Sequence, residues 1–234
     1  MFCLHTIAVS AQINQKGDQM SNSSLVSKTL RSPNHSGKRK NPVTIITPHC
    51  FVGQVSLDYG LKTFQSKSRK ASCNYLIAHD GRIGLCVDEE NRSWCSSSAV
   101  NDNRAVTIEI ASDSTAPYAV KTPAMQSLIE LMADICKRNG KTHITWIPDK
   151  STAMSMNPDP DEMLISVHRW FANKACPGDY IYSRLPKIAE EVNKILKPKT
   201  LYRVQVGAFS NRKNAERLEA ELKAKGYQTI IKEG

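Results

Sequence analysis

Short runs of β-branched and alternating apolar residues predict strands through most of the chain. In chain order the segments are 43–46, 74–78, 82–87, 104–110 and 143–147. The turn-forming pair Asp80-Gly81 joins the second and third segments, which predicts a β-hairpin. In the fourth segment, apolar residues alternate with Thr107 and Glu109, so these two side chains are predicted to lie on the opposite face of the strand.

Apolar residues at helical spacing predict helices between and after these strands. A weak helical pattern covers 54–64, a strong one covers 122–140, and a third begins at Pro186. Residues 148–163 contain three prolines and are predicted to form an irregular loop. Strands that alternate with helices indicate an α/β domain over residues 42–196, with a mixed central sheet flanked by helices.

The N-terminal segment, residues 1–41, is predicted to be a flexible arm. Residues 1–19 have no periodic pattern, and the rest of the arm is rich in Ser, Asn and Lys. Since Lys16-Gly17-Asp18-Gln19 can be encoded by a purine-rich string that resembles a ribosome-binding site, we hypothesise that the native chain begins at Met20. The start lacks a basic leader, so we predict no export signal. No apolar run reaches the ~20 residues of a membrane-spanning helix.

Beyond a linker at 197–200, residues 201–234 are predicted to form a small βαβ unit, whose helix runs from Asn211 to Lys225. The unit contains the motifs Tyr202-Arg203-Val204-Gln205-Val206-Gly207-Ala208-Phe209-Ser210 and Gly226-Tyr227. With these motifs it resembles one repeat of the SPOR peptidoglycan-binding domain. About half of such a domain is present, which is too small to bury a core of its own. It is therefore truncated, completed by a second copy, or docked on the rest of the chain.

Composition narrows the choice of partner and compartment. Hydrophobic residues make up 40% of the 234 residues and charged residues 23%, so a folded core is expected. The net charge of +10 predicts an anionic partner, and both nucleic acid and an acidic cell wall meet that requirement. The seven cysteines are odd in number and have no framework spacing, which indicates reduced thiols rather than disulfides.

A candidate metal site lies late in the chain. His168 and Cys176 are eight residues apart, with Lys174 two residues before the thiol. Nitrogen and sulfur ligands suit zinc, and a catalytic zinc takes three protein ligands and leaves one position to water. His49, which closes a β-branched run, is the best candidate for the third ligand, and His143 is a weaker one. From spacing alone, an isolated histidine and a small core cysteine are favoured over a metal site.

The order of these motifs resembles a known enzyme family. The motifs are His49, Asn74-Tyr75-Leu76-Ile77-Ala78-His79-Asp80-Gly81-Arg82-Ile83, Ala105-Val106-Thr107-Ile108-Glu109-Ile110, His168, Lys174 and Cys176-Pro177-Gly178. Together they resemble the zinc-dependent N-acetylmuramoyl-L-alanine amidases, the type 2 amidase family that includes phage amidase lysozymes and the peptidoglycan recognition proteins. The resemblance covers residues 42–196.

The resemblance implies hydrolysis of the amide between N-acetylmuramic acid and L-alanine in peptidoglycan. It implies one Zn²⁺ held by the histidines and the cysteine, with Glu109 as the catalytic acid and base and Lys174 as the group that stabilises the oxyanion. Without the resemblance, the favoured interpretations are a buried ion pair for Glu109 and a solvated surface charge for Lys174. The chain has Cys95 where the family commonly has a histidine after tryptophan, which puts a histidine role there in doubt. A tyrosine that some members use falls near Cys73.

The sequence leaves two other functions to be tested. One is a peptidoglycan-binding module without activity, although such relatives typically lose a zinc ligand and all three candidates are present here. The other is a basic nucleic-acid-binding protein, which is disfavoured because Tyr202 and Phe209 alone would supply stacking. We therefore expect peptidoglycan, both stem peptide and glycan, and not nucleic acid as the partner. We expect synthesis in the cytoplasm and action on the cell wall after release, as for a phage or prophage endolysin or an autolysin. The sequence does not indicate the oligomeric state.

Overall fold

A computed structural model of the protein describes residues 22–198 and 204–233. The hypotheses about residues 1–19 and a start at Met20 lie outside these described residues. The described strands are β1 (Val26–Thr29), β2 (His35–Lys38), β3 (Ile45–Cys50), β4 (Tyr75–Ile77), β5 (Ile83–Leu85), β6 (Asn91–Ser93), β7 (Ala105–Ile110), β8 (His143–Thr145) and β9 (Glu162–Ile165). The described α-helices are α1 (Leu57–Thr63), α2 (Ala99–Asp102), α3 (Thr122–Arg138), α4 (Lys150–Ser155), α5 (Gly178–Tyr182), α6 (Leu185–Leu196) and α7 (Arg212–Ala224).

The chain divides into two compact units between Lys197 and Pro198. The first contains a seven-stranded sheet in the order β1-β5-β4-β7-β3-β9-β8. Every neighbouring pair in it is parallel except the β4–β5 hairpin. The predicted α/β fold with a mixed central sheet is confirmed.

Helices cover both faces of this sheet. On one face, α3 and α6 bury a large apolar core with the alternate residues Val106, Ile108 and Ile110 of β7. On the other face, α1 packs its leucines against Leu76 of β4. Because side chains alternate along a strand, Thr107 and Glu109 face away from α3 and α6, as the sequence predicts. The second face therefore carries the polar side chains of the two central strands.

Residues 22–41 are not the flexible arm that their composition predicts. β1 joins the edge of the main sheet beside β5, and β2 pairs with β6 in a second, two-stranded sheet. Ser32 and Asn34 are buried, and both side chains donate hydrogen bonds to the carbonyl oxygen of Phe64, at 2.6 and 3.1 Å. Polar side chains typical of a loop are satisfied here by distant backbone groups, so the segment is ordered by long-range contacts.

Two further predictions of secondary structure need correction. Residues 148–163 contain α4 and the first part of β9, which is the strand next to β3. In the C-terminal unit, α7 is present with Asn211 as its N-cap, but the described flanks, 204–210 and 227–233, form no strand. The apolar side chains Val204, Val206 and Ile230 of these flanks are exposed, so nothing described pairs with them.

The described helices include none that is long and apolar enough to cross a membrane.

Candidate active site

The carboxyl ends of the central strands bring a histidine and a glutamate together. His49 of β3 and Glu109 of β7 are register partners in a parallel pair, so both side chains point to the same face. His49 is 1% exposed, and its Nε2 atom has no hydrogen-bond partner among the described residues. Burial, followed by the neighbouring His168, lowers the pKa of His49 to about 3. The ring is therefore neutral at physiological pH and has a nitrogen lone pair available for a ligand.

A loop after β9 delivers the second histidine and the cysteine. His168 begins a short 3₁₀ turn, His168–Trp170, directly after the strand that neighbours β3. The backbone N–H of Arg169 donates to the carbonyl oxygen of Cys176 at 3.1 Å, and the Arg169 guanidinium forms an ion pair with Asp179 at 3.0 Å. These contacts close the loop and fix the cysteine beside the histidine.

Gly178 determines where this loop ends. Its φ is +80°, and a Cβ atom at this position would lie 2.7 Å from the Cβ of Tyr118. Both the backbone conformation and the space therefore require glycine. The Pro177-Gly178 motif in the sequence thus sets the start of α5 and, through it, the position of Cys176.

The three sequence-predicted ligands meet in one place. The Sγ atom of Cys176 lies 3.3 Å from Nδ1 of His49, and the rings of His49 and His168 are 5.1 Å apart between centroids. One ligand atom from each of the three residues lies within 4.8 Å of the other two. Two neutral imidazoles and a thiol match the three-ligand set of catalytic zinc, and the unpartnered buried nitrogen of His49 is the kind of atom that a cation would satisfy.

The thiol of Cys176 is not ionised in the absence of a cation. The adjacent Cys50 thiol and burial both raise the pKa of Cys176 above its ordinary value. Burial also lowers the pKa of His168, and the positive charge of Lys174 lowers it further, against the effect of Asp102. Metal binding by these residues would therefore release the proton of the Cys176 thiol, whereas the two histidines are already in the neutral form that binds a metal.

Glu109 lies beside this group without an ion pair. Its Oε1 atom is 3.8 Å from the Sγ atom of Cys95, and its buried Oε2 atom has no hydrogen-bond partner in the part of the chain that the structure describes. Burial raises the pKa of Glu109 to about 7, whereas the Cys95 contact and the Arg69 charge lower it. The alternative of a buried ion pair with Arg104 or Lys174 is not what the structure shows. A carboxylate that titrates near neutrality can both accept and return a proton.

Lys174 lies on the same loop but points into solvent. It is exposed, and its side chain has no hydrogen bond or ion pair with any described residue. Its charge is nevertheless close enough to lower the pKa of His168. The structure thus places Lys174 at the rim of the group and leaves its side chain free to move.

Sequence reasoning missed two residues of this region, and two other histidines of the domain, including the weaker candidate His143, lie elsewhere. Cys95 contacts Glu109, and Ser97 Oγ lies 3.0 Å from Nε2 of His168. The only sequence signal for them was the departure from the family pattern at Cys95. His79 Nδ1 lies 2.9 Å from the Val55 carbonyl oxygen. His143 lies at the far edge of the sheet on β8.

Comparison with protein families agrees with this geometry. The family model described as N-acetylmuramoyl-L-alanine amidase matches residues 39–179, which is more than half of the chain. The chain belongs to this family. A second model, the SPOR domain, matches residues 198–234. This amidase therefore combines a catalytic unit with a SPOR region, and both families imply peptidoglycan as the partner.

Solved structures show the same fold at low sequence identity. The amidase resembles a point mutant of PlyL, with 13% identity, a TM-score of 0.51 and coverage of 71% of this chain and 97% of that one. It also resembles the Staphylococcus aureus hydrolase AmiA in complex with its ligand, with 14% identity, a TM-score of 0.51 and coverage of 71% and 81%. No curated protein matches the sequence at a significant level.

Proposed function

We propose that this amidase depends on zinc and that it cleaves the amide between N-acetylmuramic acid and L-alanine in peptidoglycan. The observation that carries the proposal is the meeting of His49, His168 and Cys176 within 4.8 Å, beside the unpaired carboxylate of Glu109. When bound, zinc would polarise the scissile carbonyl and lower the pKa of water, so that hydroxide is available for the attack at neutral pH.

The residues around the proposed site divide the chemical work. His49, His168 and Cys176 hold the cation by two nitrogens and one sulfur. Glu109 uses its free Oε2 atom to take a proton from the attacking water, and it then passes a proton to the leaving amine of L-alanine. Because burial raises its pKa to about 7, Glu109 is a stronger base than an ordinary glutamate and can both accept and return a proton near neutral pH.

Lys174 is proposed to stabilise the oxyanion. Its exposed ammonium lies two residues from Cys176, and rotation about its flexible stem would bring the charge to the carbonyl oxygen of a bound substrate. We expect Lys174→Met to lower kcat about 10²–10³-fold, as for the loss of one oxyanion donor, without loss of metal. Lys187→Met on α6 is the matched control, since this lysine is also exposed but pairs with glutamates of its own helix.

The test measures metal and product in the same samples. Zinc content and the release of new L-alanine amino termini from purified peptidoglycan are compared for wild type, Cys176→Ser and Glu109→Gln. Cys136→Ala, which removes a buried thiol of α3, is the control for loss of any cysteine.

The proposal predicts about one zinc per wild-type chain, loss of zinc in Cys176→Ser, and retained zinc without activity in Glu109→Gln. The control should keep both zinc and activity. A wild-type protein that sediments with cell walls but is metal-free and inert would instead be a binding module, and the catalytic assignments would then be wrong.

We also propose that the amidase is made in the cytoplasm and reaches the wall after release, as an endolysin or autolysin does. The match of residues 198–234 to the SPOR family supports the wall as its destination. Fractionation of the native host before and after lysis tests this. Enzyme outside intact growing cells would contradict it.

A further inference from the structure

One short loop touches both parts of the proposed catalytic apparatus. The loop Trp94–Ser98, hereafter the 94–98 loop, connects β6 to α2. Its Ser97 hydroxyl lies 3.0 Å from Nε2 of His168, and its Cys95 thiol lies 3.8 Å from Oε1 of Glu109. The first contact reaches a proposed metal ligand and the second reaches the proposed proton-transfer group.

A buried carboxylate holds this loop in place. Asp102 is 3% exposed, and its Oδ2 atom accepts the backbone N–H groups of Cys95 at 3.1 Å and of Ser96 at 3.2 Å. Charge-assisted hydrogen bonds of this kind are about twice as strong as neutral ones. The loop backbone is therefore fixed at the two residues that precede Ser97.

A buried amide ties the same region to the strands that carry the histidines. Asn101 Nδ2 donates to Thr47 Oγ1 at 3.1 Å, and Asn101 Oδ1 accepts from Ser166 Oγ at 2.8 Å. Thr47 lies two residues before His49, and Ser166 lies two residues before His168. The position of the loop is thus coupled to both histidines through a network in which each of these groups has a partner.

Ser97 occupies a backbone conformation that favours glycine. Its φ is +61°, in the left-handed region, where a residue with a Cβ atom costs about 1–2 kcal/mol. A glycine would avoid this strain but would lack the hydroxyl that meets His168. Strain of this kind persists where the surrounding structure enforces it, and it is concentrated at functional sites.

We propose that the 94–98 loop positions the catalytic groups: Ser97 holds His168 by Nε2, and Cys95 holds Glu109 by Oε1. If Nε2 of His168 donates to the serine oxygen, this tautomer would leave the lone pair of Nδ1 free to hold a cation. With Oε1 occupied by the thiol, Oε2 is left for the proton in transit. Cys95 thereby fills the place where the family commonly has histidine. This inference rests on the proposed function.

The first arm of the test separates the Ser97 hydroxyl from its backbone. Zinc affinity is measured by competition with a chromogenic chelator for wild type, Ser97→Gly and Ser97→Ala. Loss of an outer hydrogen bond to a metal-binding histidine typically weakens affinity 10–100-fold, and we expect both variants to show this loss. Ser97→Gly also relieves the left-handed strain, so its thermal midpoint should not fall. Lys70→Gly is the control, since Lys70 has φ +49° and is exposed.

The second arm tests the thiol at saturating zinc. We expect Cys95→Ala to lower kcat about tenfold or more, a part of the 10²–10⁴-fold that a positioned acid or base supplies, with zinc affinity and KM unchanged. Cys95→Ser keeps a donor and should recover most of that loss. A merely structural role would change stability without this separation of kcat from KM and without rescue by serine.

Each outcome supports or overturns a stated role. If Ser97→Gly binds zinc as tightly as wild type, Ser97 does not position His168. If Cys95→Ala is as fast as wild type, or Cys95→Ser is as slow as Cys95→Ala, the thiol does not position Glu109. The zinc content and activity of wild type are measured in the same experiment. A wild type that binds zinc and releases product shows that the proposed function holds even where a positioning role fails. A wild-type chain that takes up no zinc and releases no product would overturn both.

Discussion

His49 and Glu109 are register partners on the neighbouring parallel strands β3 and β7. Partners in a sheet have Cα atoms about 5 Å apart and side chains on the same face, so backbone hydrogen bonds alone bring the proposed ligand and the proposed base together. Every residue of β3 pairs with one of β7 without a bulge. The central part of the site is therefore built on two paired strands of the sheet, and the loop after β9 supplies His168, Lys174 and Cys176.

Replacement of Glu109 by glutamine tests its role as a base. The amide is almost the same size but cannot accept the proton, so kcat should fall 10²–10⁴-fold while zinc content stays at the wild-type level. Peptide release and zinc content provide the measurement, with exposed Glu130→Gln on α3 as the control. Loss of zinc together with activity would instead make Glu109 a ligand, as the second group of His49, Cys95 and Glu109 within 4.8 Å would allow.

The pH profile should report the same carboxylate. Burial raises the pKa of Glu109 from 4.5 to about 7, and the base must be ionised to act. A nearby cation favours the carboxylate, so in the zinc enzyme the kcat/KM limb should lie at or below about pH 7. Below that limb the rate should fall tenfold per pH unit. A profile that stays flat from pH 8 down to pH 4 would contradict the assignment.

The burial of Glu109 should also lower the free energy of unfolding of the metal-free protein at alkaline pH. A folded pKa above the unfolded one means that the native state holds the extra proton, so stability is fully present below pH 4.5 and is lost as the pH rises through about 7. At pH 8, metal-free Glu109→Gln should be more stable than metal-free wild type, by an amount on the order of 3 kcal/mol at most. Urea unfolding at pH 4 and pH 8 measures the difference, which should nearly vanish at pH 4. A difference independent of pH would refute this cause.

The proposed ligands and the proposed base could be predicted from the sequence, whereas the residues proposed to position them could not. His49 and Glu109 lie on strands with clear β-branched patterns, and His168 and Cys176 lie close together in the sequence. The contact of Ser97 with His168 joins residues 71 apart, and no local pattern marks it. Positioning groups act through such long-range contacts, which only the fold reveals.

The missed strands had local reasons of their own. β9 is four residues long and follows two prolines, so its neighbourhood is typical of a loop. β1 carries Ser27 and Lys28, and it becomes a strand because backbone groups of β5 pair with it. In the C-terminal unit the apolar flanks around α7 indicate strands, but none forms among the described residues, where no partner is present. Tertiary context decided each case against local propensity.

A buried ion pair should anchor the N-terminal segment, which contains β1 and β2, to the rest of the catalytic unit. The Glu89 carboxylate is fully buried, and it accepts from the Arg138 guanidinium and, at 2.5 Å, from the Tyr75 hydroxyl. Tyr75 in turn accepts the backbone N–H of Ser23 at 2.9 Å. Removal of one partner from a buried pair typically costs 3–5 kcal/mol, so Glu89→Gln should lower the free energy of unfolding by an amount of that order.

The adjacent residue provides the control for this variant. Glu90 pairs with the exposed Lys38 at 3.8 Å, so Glu90→Gln should change the free energy of unfolding by about 1 kcal/mol or less. Chemical denaturation of both variants at pH 7 gives the comparison. Equal effects at the two positions would show that the Glu89 network does not anchor the N-terminal strands.

We expect the SPOR region to provide attachment to the cell wall and the catalytic unit to provide hydrolysis without it. The division between Lys197 and Pro198 predicts that removal of residues 198–234 leaves the thermal midpoint of the catalytic unit unchanged. Activity on small soluble muropeptides should stay at the full-length level, since every proposed ligand lies before the division. Sedimentation with intact cell walls, and activity on them, should fall because wall attachment is lost. If the shortened chain sediments as well as the full chain but loses that binding in high salt, the positive charge of the catalytic unit rather than the SPOR region attaches the enzyme to the wall.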